Sequence, residues 1–162
     1  VSYRTALEFL TATVPIFKEV VFRSEVGSLV NFDNLLILAL MPDPFRSDDV
    51  VVKFESDFTF FTYTDNKGTW PGYVARPANN ANLSDIQNLV KSSLEANANL
   101  SNLYLTDPGT PSTWKSGSVS GVANRYLSFT QAGASLNYGW QGNLLIVSTS
   151  FPGFQEALKR LQ

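Results

Sequence analysis

The order strand, turn, strand, Asn/Ser-rich loop, amphipathic helix is written twice in this chain, over residues 58–94 and again over residues 135–161. In the first copy, Asp65, Asn66, Lys67 and Gly68 follow a run of aromatic and Thr residues. Asp and Asn tolerate left-handed backbone and Gly supplies positive φ, so these four residues read as a turn between strands at 58–64 and 69–76. Ser84 and Gln87 have capping-box spacing and open a helix with Ile86, Leu89, Val90 and Leu94 on one face. In the second copy, residues 135–140 and 144–148 read as strands around a tight turn at Gln141, Gly142 and Asn143. Ser150 and Pro152 start a helix with Phe154, Ala157, Leu158 and Leu161 on one face, and Lys159 and Arg160 suit the negative end of its dipole. The copies share element order but little residue identity, so they are either a duplication or two independent ββα units.

Elsewhere the pattern is less regular. Leu7, Leu10, Val14, Phe17 and Val21 recur at three- and four-residue steps, which predicts helices over 3–12 and 16–22 with Pro15 between them. Residues 35–40 and 50–54 read as strands, residues 103–105 as a short strand, residues 106–120 as a Pro/Gly/Ser/Thr-rich loop, and residues 122–129 as a strand. Successive strands favour antiparallel pairing. The expected fold is α+β: two layers, a mainly antiparallel sheet with helices on one face and the other face left to water or a partner. With 162 residues the chain suits a single α+β domain over 1–162. Its core is expected as a ββα-β-ββα unit over 57–162, with a helical and strand-bearing segment over 1–50.

The composition removes several function classes. A chain that is 44% hydrophobic and 16% charged buries a core and is not disordered. Without cysteine it has no disulfide, thiolate nucleophile or Cys-ligated metal; without histidine it lacks the commonest general base and metal ligand. A net charge of −2, with 12 basic residues scattered along the chain, argues against nucleic acid as a partner. The most apolar run, residues 35–40, falls far short of the ~20 residues of a membrane span. Because the chain opens at Val1, it is expected to be a fragment whose leader or anchor has been cut away.

The candidate sites carry competing readings. Asp43, Asp48, Asp49, Glu55 and Asp57 form the densest acidic stretch, but their spacing matches no calcium loop, and turns and helix starts account for Asp43 and Asp48. Residues 65–68 begin like an EF-hand loop and lack its later Glu, so a hairpin turn explains them better. Lys115 beside Ser116 and Ser118 invites a Ser/Lys dyad, yet such chemistry needs a desolvated lysine and this segment reads as exposed. Neither a catalytic residue, a metal site nor a cofactor is therefore expected. Trp70, Trp114 and Trp140 all stand at or beside turns, where a flat ring can stack on a sugar or anchor an interface, or fold back over the core. Together with Tyr104 they are the expected binding residues. Asn82 and Asn99 each open an N-x-Ser pattern, which matters only in a eukaryotic secretory setting.

From Asp57 onward the chain resembles a group of bacterial extracytoplasmic domains of the DUF3352 type, found in membrane-anchored proteins. The matching pieces are FTFFTY from Phe58 to Tyr63, GVANRYL from Gly121 to Leu127, LNY from Leu136 to Tyr138, NLLIVST from Asn143 to Thr149 and ALKRL from Ala157 to Leu161. The resemblance implies a domain held outside the cytoplasmic membrane by a segment lying beyond this chain. It implies no active site.

These readings converge on a non-catalytic extracytoplasmic or cell-surface domain acting in adhesion, assembly or scaffolding, with a protein or glycan partner. Two alternatives are a structural subunit of an oligomeric envelope machine, such as a pilus or secretion assembly, and a hydrolase with a carboxylate pair. Self-association into a homo-oligomer fits the first alternative.

Overall fold

The computed structural model of the chain describes residues 7–32, 34, 54–96 and 100–162. Aromatic and Thr residues, which fit a pleated and half-buried surface, form an N-terminal hairpin of two long strands. Ile16–Val20 (β1) lies against Phe54–Thr64 (β2), and β2 turns into Thr69–Pro77 (β3) with Tyr63 opposite Trp70 and Phe60 opposite Tyr73. Asp65 builds the turn. Its Oδ1 accepts from the backbone N–H of Lys67 (2.9 Å) and Gly68 (3.2 Å) and from Trp70 Nε1 (3.1 Å).

The C-terminal half is a meander of Lys115–Val119 (β4), Val122–Ser128 (β5), Ser135–Gln141 (β6) and Leu144–Ser148 (β7). Gly142, at φ +60°, supplies the left-handed residue of the tight β6–β7 turn. Pairing of β3 with β7, Tyr73 opposite Val147, fuses the two halves. Among the described residues the result is a seven-stranded antiparallel sheet in the order β1-β2-β3-β7-β6-β5-β4. With Leu83–Glu95 (α1) and Phe151–Leu161 (α2) the fold is α+β.

The two helices pack on opposite faces, not on one. Successive residues of a strand point to opposite sides. Tyr138 reaches Glu95 at the end of α1, whereas its neighbour Gly139 faces the Phe154 ring of α2. Likewise Leu145 and Val147 join the cluster of Ile86, Val90 and Leu94, while Ile146 joins Phe154, Ala157 and Leu158. The molecule is therefore layered helix, sheet, helix rather than in two layers. A two-fold repeat of a ββα unit about the β3–β7 pair would put both helices on one face, so the packing lends no support to a duplication.

Other expectations change for local reasons. Residues 16–20 form β1 and not a helix: Phe17 stacks on Phe61 at 4.8 Å, and pairing with β2 outweighs the helical spacing of the apolar residues. Residues 103–105 are no strand, since a 3₁₀ turn occupies Leu100–Leu103 and buries both leucines. Part of the expected loop 106–120 is β4. Asn82, and not Ser84, caps α1, its Oδ1 accepting from Asp85 N–H at 3.1 Å. The strand expected at 35–40, residues 50–53 of the strand expected at 50–54, the first part of the helix expected over 3–12, and Asp43, Asp48, Asp49 and Asn99 lie outside the described residues.

On the α2 face Arg160 lies 4.3 Å above the Phe17 ring, Phe17 on Phe61, and Phe61 across Gly72. A Cβ at Gly72 would come within 2.2 Å of Phe61 Cζ and 2.7 Å of the Val147 carbonyl oxygen. The substitution Gly72→Ala is expected to lower stability by about 1–3 kcal/mol in urea denaturation; an unchanged midpoint would show that the column is not close-packed.

Candidate functional site

On the α1 face, Glu95, Arg125 and Tyr138 form a knot. Arg125 Nε and Nη2 donate to the two oxygens of Glu95 at 2.7 and 2.8 Å, Tyr138 Oη donates to Glu95 Oε1 at 2.6 Å, and Arg125 Nη1 donates to Ser116 Oγ at 2.7 Å. The bidentate fork is the strong form of this pair. Hydrogen bonding from Arg125 holds the Glu95 carboxyl below its ordinary range, against the opposing effect of burial, with the bond from Tyr138 helping. Burial and then the bond to Glu95 push the Tyr138 phenol up, so it stays a donor. A general acid needs the reverse, a carboxyl raised and holding its proton. Glu95 ties α1 to β5 and β6 and is not poised as a general acid.

Lys115 and Ser116 do not make a Ser/Lys dyad. They are consecutive in β4 and point to opposite faces, and the Ser116 hydroxyl accepts from Arg125. Among the described residues no three acidic side chains gather as a metal site.

The expected binding residues separate. Trp70 is 1% exposed, its indole N–H spent on Asp65 and its ring edge-on to Phe9 at 6.1 Å. Tyr104 is 1% exposed and packs edge-on against Phe129 at 5.0 Å. Both are core residues. Trp114 is half-buried, edge-on to Tyr138 at 5.7 Å, beside a depression that includes Glu95 and Phe129. Trp140 is half-buried in an open cleft of about 570 Å³ between α1 and the end of the β5–β6 hairpin, with Gln87 and Lys91 nearby. The four residues do not form one surface.

A different site stands on the α2 face. Beside the first turn of α2, a groove of about 420 Å³ is lined by Asn124, Tyr126, Ser128, Ser135, Asn137 and Phe151, and among the described residues no charged one lines it. Asn124 and Asn137 are 4% and 0% exposed. Among the described residues neither amide atom of Asn124 has a hydrogen-bond partner, and Asn137 Oδ1 has none, although Asn137 Nδ2 donates to the Ser135 carbonyl at 3.1 Å and Ser135 Oγ at 2.9 Å. Leaving a buried polar group unpaired costs about 1–3 kcal/mol. Two such residues side by side are a local exception to the rule that buried polar groups are satisfied. Register places them: Asn137 is opposite Tyr126, and Asn124 is opposite Gly139 on one side and Gly117 on the other. Glycine at 117 leaves the amide room: a Cβ there would lie 2.8 Å from Asn124 Oδ1 and push it aside. Asparagine is depleted in strands, and its presence in the middle of β5 and β6 is the signal that could have found this site in the sequence.

No family model matches this chain, and comparison with curated proteins and with solved structures likewise finds no match. Among the described residues no helix is long and apolar enough to cross a membrane.

The knot sets a pH dependence. Since the folded-state value of Glu95 lies below that of the unfolded chain, its stabilisation is complete above the ordinary carboxylate range and is lost as pH falls through that range toward the folded value. Glu95→Gln is expected to destabilise the protein at neutral pH by about 1.5–3 kcal/mol and to lose less further stability than wild type on acidification. Urea denaturation at pH about 7 and about 3 checks this; equal acid sensitivity of the two proteins would contradict it.

Proposed function

We propose that this chain is a non-catalytic recognition domain, acting in adhesion, assembly or scaffolding, and that its contact surface is the uncharged groove over β5 and β6. The observation that carries the reading is the pair of buried asparagines at the base of that groove, where among the described residues both amide atoms of Asn124 and the Oδ1 of Asn137 lack partners. Folding alone favours apolar side chains at such positions. Retaining polar groups there fits a surface that completes its hydrogen bonds with a ligand. The proposed role outside the cytoplasmic membrane rests on the resemblance of residues 57–162 to anchored extracytoplasmic domains, with an anchor supplied by the rest of the parent protein.

Assembly into an envelope machine draws less support. β4 closes one side of the described sheet with five residues that include Lys115 and Gly117, a short and charged strand of the kind that discourages edge-to-edge pairing. Hydrolysis by a carboxylate pair gains no support from Glu95, whose oxygens are taken by Arg125 and Tyr138.

Labelled protein should be retained on isolated cell envelopes of the source organism without releasing soluble fragments from them. Retention should fall at least about fivefold in Asn124→Ala and stay unchanged in Trp140→Ala. Retention that ignores Asn124→Ala, or release of cleaved products, would contradict the reading.

A further inference from the structure

Accepting the groove as a recognition surface, we infer that its ligand is a neutral saccharide, held by the side-chain amides of Asn124 and Asn137 and stacked on Tyr126. The inference rests on the reading above and adds the ligand's chemical class. Asn124 offers two unused N–H donors and an acceptor, and Asn137 offers an acceptor. A sugar hydroxyl donates and accepts at once, so neighbouring hydroxyls satisfy an amide at both of its ends. The two asparagines are diagonal neighbours on adjacent strands, about 7–8 Å apart at Cα, a span that one pyranose ring with hydroxyls on both sides can bridge. Both amides are closed to bulk water at the groove floor, and the broad χ2 torsion of Asn lets each turn toward a bound hydroxyl.

The surroundings select against other ligands. Tyr126 is half-buried and Phe151 is 41% exposed, so each presents ring surface for the C–H face of a sugar. A phosphate-bearing ligand wants positive charge, and the groove lining has none; Lys115, opposite Tyr126, stands at the rim. An extended peptide would pair with free strand backbone, but β5 and β6 are hydrogen-bonded to strands on both sides. Side chains are what this surface presents.

The test is a titration of the isotope-labelled 162-residue chain with neutral oligosaccharides of glucose, mannose and N-acetylglucosamine, followed by NMR. The expected result is a saturable shift of the Asn124 and Asn137 side-chain NH2 signals and of β5 and β6 backbone signals with at least one sugar. Affinity should weaken about tenfold in Asn124→Ala and in Gly117→Ala, and should be indifferent to Lys115→Ala and to salt. Phe151→Ala, on an exposed ring, keeps the test decisive if a floor variant fails to fold: it too should weaken binding. Absence of shifts with all three sugars, shifts confined to Gln87, Lys91 and Trp140 on the other face, or binding of peptide in place of sugar would overturn the inference. Groove-dependent retention on envelopes with no sugar response would sink the saccharide and leave the recognition reading standing. Sugar binding without envelope retention would do the opposite.

Discussion

The pairing of β3 with β7 is the constraint on which the rest of the molecule depends. Partners across these strands are 70 to 76 residues apart in sequence, from Ala75 with Leu145 to Gly72 with Ser148, and no local turn brings them together. Their alignment has to be selected by burial. β7 has side chains buried on both faces, so a slip of one residue would move Leu145 and Val147 out of the α1 cluster and carry Ile146 into it. Neither helix could then pack. Fixing that register also fixes β6 and β5 beyond it, and so the positions of Tyr138, Arg125, Asn137 and Asn124.

From this register follow two faces of different character. The α1 face is closed by apolar packing and by the Glu95, Arg125 and Tyr138 knot, in which each charge is met by a partner. Burying an unpaired ion would be far costlier, and the fork geometry avoids it. On the other face α2 covers the middle of the sheet with Phe154, Ala157 and Leu158, and the outer part of β5 and β6 carries amides and hydroxyls instead of a core. Positions that folding alone would fill with valine or isoleucine are given to asparagine, the local conflict on which the proposed contact surface rests.

Much of this architecture was legible in the sequence where local chemistry and tertiary packing agree. The hairpin at residues 65–68, the turn at Gly142 and both helices were readable because Asp, Gly, Asn, Ser and Pro occupy positions that only one backbone geometry suits. β1 was not readable: the spacing of Val14, Phe17 and Val21 fits a helical face, and strand pairing with Phe60 and Phe61 decides otherwise. β4 was hidden because Lys115, Ser116, Gly117 and Ser118 have poor strand propensity and are held by β5 rather than by themselves. The sides on which the helices lie depend on crossovers between distant strands, which no local pattern encodes. Among the candidate site residues, turn-borne Trp70 proved to be core because its indole satisfies Asp65, a partner five residues away. The asparagines went unread because single polar residues inside strands carry meaning only once their neighbours are known.

Native-state hydrogen exchange tests the central pairing most directly. Amides of β3 and β7 around Tyr73, Val74, Ile146 and Val147 should exchange only through global unfolding and be the slowest in the chain, with β4 opening first. Exchange at β3 and β7 that is faster than in the outer strands, or two separate unfolding units meeting between them, would contradict a fold organised on that pair.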